Sequence, residues 1–482
     1  MDMATLYPVA SREQLKSGFV GKDLSELSTP FAVIDKYIAA ENCRKMEEAC
    51  KKANVLFRAH IKTSKVLLDD WCIEVAALEQ LSEKHVNYIV STVMEAEFMK
   101  DHLLDVARQG RIVNVLYGFP VAPSLFERLA YLARTLGEGS ISLLVDNSAH
   151  IGLLQKFKDV AGFGPYIMFK VDAGYHRAGI PPNEDELGEL AKEAVEAEKQ
   201  GLCKIHGVYS HSGHSYSGES PEDGMRYLLE EIQVLVKGAE IVRKHLQPKE
   251  ERKLIVSIGA SPSATAVQNL LGPENSLNTS STARELRKSF EDTFNEGFAV
   301  ELHAGVYSLL DIQQVNMQST QSRFAKQAGN PITSKDIALS VVAEVASVYP
   351  KRNPPQALIG AGTLALGREP CSGYSGWGIV SGWRLDSSPS ASLQFSGWEV
   401  SKISQEHGLI YASEDSRVKA IAQTDGILDL KSSMPFEVGQ KVRIWPNHAC
   451  IAAANFGFFA VVDSSSNKPD EVVDVWIRCR GW

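Results

Sequence analysis

The sequence predicts an α/β fold followed by a mainly β domain, and three observations carry that expectation. Short apolar runs alternate with helix-spaced segments between residues 29 and 303. Past residue 330 the texture changes to strand-like runs joined by turn residues. The composition, 44% hydrophobic and 23% charged over 482 residues, supplies apolar side chains for one large core and a smaller one.

Taken in order, Thr29-Pro30-Phe31-Ala32-Val33-Ile34-Asp35 reads as a short buried strand. Residues 36–53 follow with Ala39, Ala40, Met46 and Ala49 at helical spacing. A second strand begins at Val55 and runs into a polar, basic cluster. Further strand-like runs lie at 88–92, 112–117, 141–146, 166–172, 205–210, 254–258 and 299–303. Nine runs are one more than an eight-stranded barrel needs, so the first or the last belongs elsewhere. The same alternation also suits a doubly wound open sheet. Residues 272–282, rich in Ser, Asn and Thr, read as a surface excursion before a helix at 283–290. The later β runs are expected at 337–349, 376–383, 392–398, 408–412, 438–445 and 472–477.

A net charge of -9 and the lack of a long Lys/Arg run argue against nucleic acid and for a small-molecule enzyme. The first nineteen residues carry no apolar core of signal-peptide length, and their basic residues are mixed with Asp2 and Glu13, which points to the cytoplasm. The most apolar run, 451–462, is broken by Asn455 and Gly457 and falls short of the roughly 20 residues a membrane helix needs. Seven cysteines, an odd number with no CxxC pair, suit a reducing compartment.

The second strand would deliver Lys62 to the C-terminal mouth of a parallel strand, where α/β barrels collect their chemistry. An amine there is either a solvated charge or a nucleophile, and burial near Arg58, His60 and Lys65 would disfavour its charged form. Arg58-Ala59-His60-Ile61-Lys62-Thr63-Ser64-Lys65 resembles the segment carrying the Schiff-base lysine of the D-serine dehydratase and D-threonine aldolase family. These are pyridoxal 5'-phosphate (PLP) enzymes. The resemblance implies an alanine-racemase-like (β/α)8 barrel over 29–325, a β domain carrying a metal pair over 330–482, a leader 1–28 joining that β domain, and a homodimer.

Two late loops have phosphate-binding chemistry, Ser257-Ile258-Gly259-Ala260-Ser261-Pro262-Ser263 and His303-Ala304-Gly305-Val306-Tyr307. Gly after a strand is also ordinary turn punctuation. The family resemblance implies Ser261, Gly305 and Val306 as the phosphate site, Ser261 standing where many relatives have threonine. Lys170-Val171-Asp172-Ala173-Gly174-Tyr175-His176-Arg177 resembles the segment that brings an arginine to the cofactor's phenolic oxygen, which implicates Arg177. Tyr209 and Tyr216, in a run dense in imidazoles and hydroxyls, match family tyrosines near the cofactor. His211 and His214 in the same run receive no role.

Near the end of the chain, His448 and Cys450 stand two residues apart. On an extended backbone both would project from one face and could share an ion that accepts nitrogen and sulfur, such as zinc. A buried thiol beside a hydrogen-bonded imidazole is the plainer alternative. The dehydratase branch of the family carries His-x-Cys here and the aldolases His-x-Asp, so the resemblance implies a PLP- and zinc-dependent dehydratase acting on D-serine. A D-threonine or D-3-hydroxyamino-acid aldolase and a non-enzymatic PLP carrier are the alternatives.

Overall fold

The computed structural model describes residues 10–66, 84–246, 252–271, 279–317, 332–372, 374–383, 397–414, 418 and 435–482. Cys72, most of the 272–282 excursion and the expected border between the domains lie outside the described residues.

After β1 (Phe31–Asp35), the strands β2 (Leu56–His60), β3 (His85–Val90), β4 (Ile112–Pro120), β5 (Ile141–Val145), β6 (Tyr166–Lys170), β7 (Lys204–Tyr209), β8 (Ile255–Ile258) and β9 (Ala299–Ala304) form a closed barrel. All its pairings are parallel, and β2 closes the ring on β9 with Leu56 opposite Glu301 and Ala59 opposite Ala304. Successive side chains alternate between the two faces. Phe57 and Ala59 therefore join the apolar shell beneath the helices. Arg58 turns inward and is fully buried. Its Nε donates to Glu301 at 2.7 Å and its Nη1 to Asn114 Oδ1 at 2.8 Å, so the charge is neutralised inside the barrel. Ile89, Leu116, Leu144, Met168, Tyr209 and Ile255 form a separate apolar cluster contributed by β3 to β8.

The second unit is a nine-stranded sheet. To β1 it adds β10 (Leu339–Tyr349), β11 (Gln356–Ile359), β12 (Gly378–Val380), β13 (Trp398–Ile403), β14 (Gly408–Ala412), β15 (Lys441–Pro446), β16 (Phe458–Val462) and β17 (Asp474–Ile477). Their order is β11-β14-β13-β12-β15-β10-β1-β16-β17. The barrel therefore does not begin at residue 29. The surplus strand is the first, which pairs antiparallel with β10 and parallel with β16. The reason is visible in its burial. Phe31 and Val33 pack with Leu24, Leu27 and Val462, while Ala32 and Ile34 pack into the barrel's outer shell. A strand buried on both faces reads like a barrel strand whichever sheet it joins.

The leader packs on the sheet through the helix Arg12–Phe19, whose Phe19 meets Phe458 edge-on at 5.2 Å. Asp35 caps the helix Lys36–Ala53 by accepting from the Tyr37 amide at 3.1 Å, and this helix carries the chain from the sheet to the barrel. Its buried Asn42 donates to the carbonyls of Ser308 and Asp336, joining the two units from the inside. Expected strands at 337–349 and 408–412 have counterparts in β10 and β14. The run expected at 392–398 differs, because β13 starts only at Trp398 and 392–396 lie outside the described residues. β11 and β16 were not anticipated. Among the described residues no helix is long and apolar enough to cross a membrane.

Candidate functional site

The site is built where the turn after β2 meets the loops after β8 and β9. Lys62 sits in that turn, half-buried, with the backbone held by Lys65 N donating to Ile61 O and by Cys479 N donating to Lys65 O. Its side chain passes over Gly305, where an added Cβ would come 2.9 Å from Lys62 Cε. The amides of Gly305 and Val306 both donate to Ser261 Oγ, at 3.2 and 2.9 Å. Two N–H groups and one hydroxyl thus converge beside the amine, in the arrangement an anionic phosphate ester requires. Tyr216 hydrogen-bonds Ser261, and burial pushes its phenol above the usual range.

Arg58 and Lys65 do not press on Lys62 as isolated cations. Arg58 is paired with Glu301, and Lys65 with buried Glu95 at 2.7 Å. Adjacent like charges in a sequence say little when each has its own carboxylate partner.

On the far side of Lys62 lies the helix Ala449–Ala454, with His448 as its N-cap in extended conformation. Cys450 is the second residue of that helix, so the pair does not share an extended strand as the sequence reading supposed. The start of the helix brings the two groups together instead. Cys450 Sγ lies 3.0 Å from Thr63 Oγ1, on the residue following Lys62. Asp311, fully buried, accepts from His448 Nδ1 at 3.0 Å and from the Ala449 amide at 2.9 Å. That leaves Nε2 as the ring nitrogen available to a ligand. Burial works to raise the Cys450 thiol, but His448, Lys62 and the Thr63 hydrogen bond outweigh it and lower the pKa. Burial works against a charged His448, yet Cys450 and Asp311 prevail and raise it to about 10. The two shifts run in the directions that a hydrogen-bonded imidazole and thiol impose on each other, and a metal cation could take the place of the proton between them. Among the described residues no group of three or more His, Cys, Asp or Glu is arranged to hold a metal, so protein ligation here would rest on two residues.

Beneath Lys62 the barrel mouth is floored by aromatic and imidazole rings. Tyr209 and His303 stack with centroids 4.3 Å apart and planes 10° apart. His211 Nδ1 donates to Gly259 O at 3.0 Å. Burial, reinforced by cationic neighbours including Lys62, holds His60, His211 and His303 well below the usual imidazole range. His60 Nδ1 and His303 Nε2 are buried without a hydrogen-bond partner. Unmet polar atoms around a cavity mouth fit a polar ring that would complete them. Lys170 is buried with its Nζ 4.9 Å from the Tyr209 ring, and burial, partly opposed by Glu231, lowers it to about 8. Ser210 donates to Glu231. Arg177 is exposed, with its guanidinium 5.2 Å over the Tyr175 ring, and its charge acts on Tyr209, His211 and Tyr216.

Lys62, Ser261, Gly305, Val306, Tyr216, His448 and Cys450 are thus assembled at one place, Tyr209 lies in the layer below, and Arg177 lies on the rim. Thr63, Asp311 and His303 were not anticipated. No spacing marks Asp311, because its partner lies in a different domain. His303 stood inside a quoted loop but resembled strand filler.

Two family models match the chain. "Putative serine dehydratase domain" covers residues 338–462 and "Alanine racemase, N-terminal domain" covers 34–272. The chain is 30% identical to D-serine dehydratase of Schizosaccharomyces pombe, over 99% of this chain and 97% of the relative. It is 27% identical to D-serine dehydratase of Saccharomyces cerevisiae, over 97% and 99%. Among solved structures, D-threo-3-hydroxyaspartate dehydratase from Delftia sp. HT23 superposes with a TM-score of 0.68 at 25% identity, covering 96% of this chain and all of that one. The same enzyme has also been solved as a metal-free variant with a cysteine replaced by alanine.

Proposed function

The chain belongs to the D-serine dehydratase family of PLP-dependent lyases, and from that premise we propose that it converts D-serine to pyruvate and ammonia with zinc held by His448 and Cys450. The observation that carries the reading is the 3.0 Å approach of Cys450 to Thr63, because it sets an amine and an imidazole–thiol pair around one small volume.

Bound PLP would supply an electron sink for charge on the α-carbon, and zinc a Lewis acid for the departing hydroxide. Lys62 would carry the cofactor, and Ser261 with the Gly305 and Val306 amides would hold its phosphate. Tyr209 would support the ring from below and Tyr216, kept protonated by burial, would donate to the phosphate side through its hydroxyl. Arg177, on the rim, would serve the phenolic oxygen. The Lys62 amine would also serve as the base that takes the substrate's α-proton. His448, oriented by Asp311, and Cys450 would hold the metal, whose Lewis acidity would act on the substrate's β-hydroxyl. The six described cysteines are buried, the odd total of seven with no CxxC pair suits a reducing cytosol, and a homodimer completes the proposal.

Pyruvate release from D-serine and from L-serine, each with zinc and with chelator, tests the reading. Pyruvate from D-serine alone, suppressed by chelation, is the expected result. Turnover indifferent to chelator would overturn the metal assignment, and aldehyde plus glycine from D-threonine, with no pyruvate from D-serine, would make the protein an aldolase.

A further inference from the structure

The floor of the site contains one buried acceptor whose orientation the barrel has already set. His303 is 2% exposed and lies on β9 two residues before Gly305. Side chains two apart on a strand share a face, and the missing side chain of Gly305 is where Lys62 passes. His303 therefore faces the barrel interior one layer below the amine. Its Nδ1 lies 3.1 Å from Ser257 Oγ, and that same oxygen lies 2.9 Å from Glu301 Oε1. Glu301 Oε1 also accepts from Arg58 Nε at 2.7 Å, so it is a carboxylate and can only accept.

The proton count along this chain is then determined. Ser257 has one proton, and it must go to Glu301, since two lone pairs would otherwise face each other. Ser257 Oγ in turn accepts from His303, which places the imidazole proton on Nδ1. Nε2 is left with a lone pair, buried and without a partner. Tyr209 stacked on one face keeps the ring from turning.

We propose that His303 Nε2 is the partner of the cofactor's ring nitrogen, with one proton shared between them, and that Ser257, Glu301 and Arg58 are the positioning residues that hold the imidazole in that tautomer. The inference rests on Lys62 being the residue that carries PLP. Two nitrogen lone pairs cannot face each other in a buried site, so binding brings in the shared proton. The cofactor's ring is thereby held as a better electron sink than an unprotonated pyridine.

The test compares PLP with its 1-deaza analogue, in which the ring nitrogen is replaced by C–H, each titrated into wild type, His303→Phe and Ser257→Ala. Affinity is read from the absorbance of the lysine-linked cofactor. Wild type should prefer PLP by about tenfold or more, the effect of one buried hydrogen bond. His303→Phe, which keeps a ring stacked on Tyr209, should bring the two ligands to within about twofold. Ser257→Ala leaves the imidazole in place but frees its tautomer, and should fall between the two. A preference as large in both variants as in wild type overturns the inference. Should His303→Phe not fold, Ser257→Ala decides alone. Persistence of the lysine-linked absorbance in Lys62→Ala would instead overturn the parent reading of the site.

Discussion

Replacing Asp311 by Asn probes how the sheet domain presents its ligands. Asp311 Oδ2 accepts from both His448 Nδ1 and the Ala449 amide. An Asn carbonyl in the place of Oδ2 can keep both bonds, so the entry into the helix Ala449–Ala454 survives, while its NH2 group takes the place of Oδ1, which accepts from the Gln314 amide in the native protein. What it cannot keep is the carboxylate charge that orients His448 and raises its basicity as a ligand. Loss of an orienting partner of this kind costs about 10- to 100-fold in metal affinity, or about 1.4 to 2.7 kcal/mol. Zinc affinity is measured by competition with a chromophoric chelator, with the lysine-linked cofactor absorbance and the unfolding midpoint as controls that should stay close to wild type. Zinc binding within about twofold of wild type in a folded variant would refute the role given to Asp311.

Three further outcomes follow from the same geometry. Ser261→Ala removes the oxygen on which the Gly305 and Val306 amides converge, and should weaken PLP retention about tenfold in equilibrium dialysis. Gly305→Ala sets a methyl 2.9 Å from Lys62 Cε, so it should displace the amine and cut cofactor linkage while leaving the unfolding free energy within about 1 kcal/mol of wild type. His206 is held by burial, and next by the charge of Arg58, at about 4. Between pH 6.5 and 4 the unfolded chain therefore binds a proton that the native state refuses, and stability falls as pH falls. His206→Phe, which retains a ring beside Tyr166, should remove up to about 3 kcal/mol of that acid-side loss in urea titrations.

Much of the barrel was legible because a parallel strand buried on both faces is an uninterrupted apolar run, and eight of them recur at regular spacing. The same property hid the role of β1, whose Ala32 and Ile34 touch the barrel shell although its hydrogen bonds go to β10 and β16. The anion-binding loops could be read because glycine and serine after a strand limit what the backbone can do there. Asp311 could not be read in this way. It works by reaching from the end of the barrel to His448, 137 residues later in the chain, and nothing local to either residue records that contact. His448 and Cys450 were recognised as a pair for the wrong local reason, since the start of a helix and not an extended strand brings them together. The paired states of Arg58 and Lys65 were equally invisible, because both carboxylates, Glu301 and Glu95, lie on other strands or helices of the barrel.

The central claim is a division of labour at one bound amino acid, with Lys62 at the α-proton and the His448–Cys450 pair at the β-hydroxyl. D-Serine carrying deuterium on Cα separates the two by NMR, since washout of the label reports the first event and pyruvate the second. Chelation should stop pyruvate formation while washout continues, and Lys62→Ala should abolish both. Pyruvate that continues to form without metal, or washout that stops whenever pyruvate does, would contradict the account.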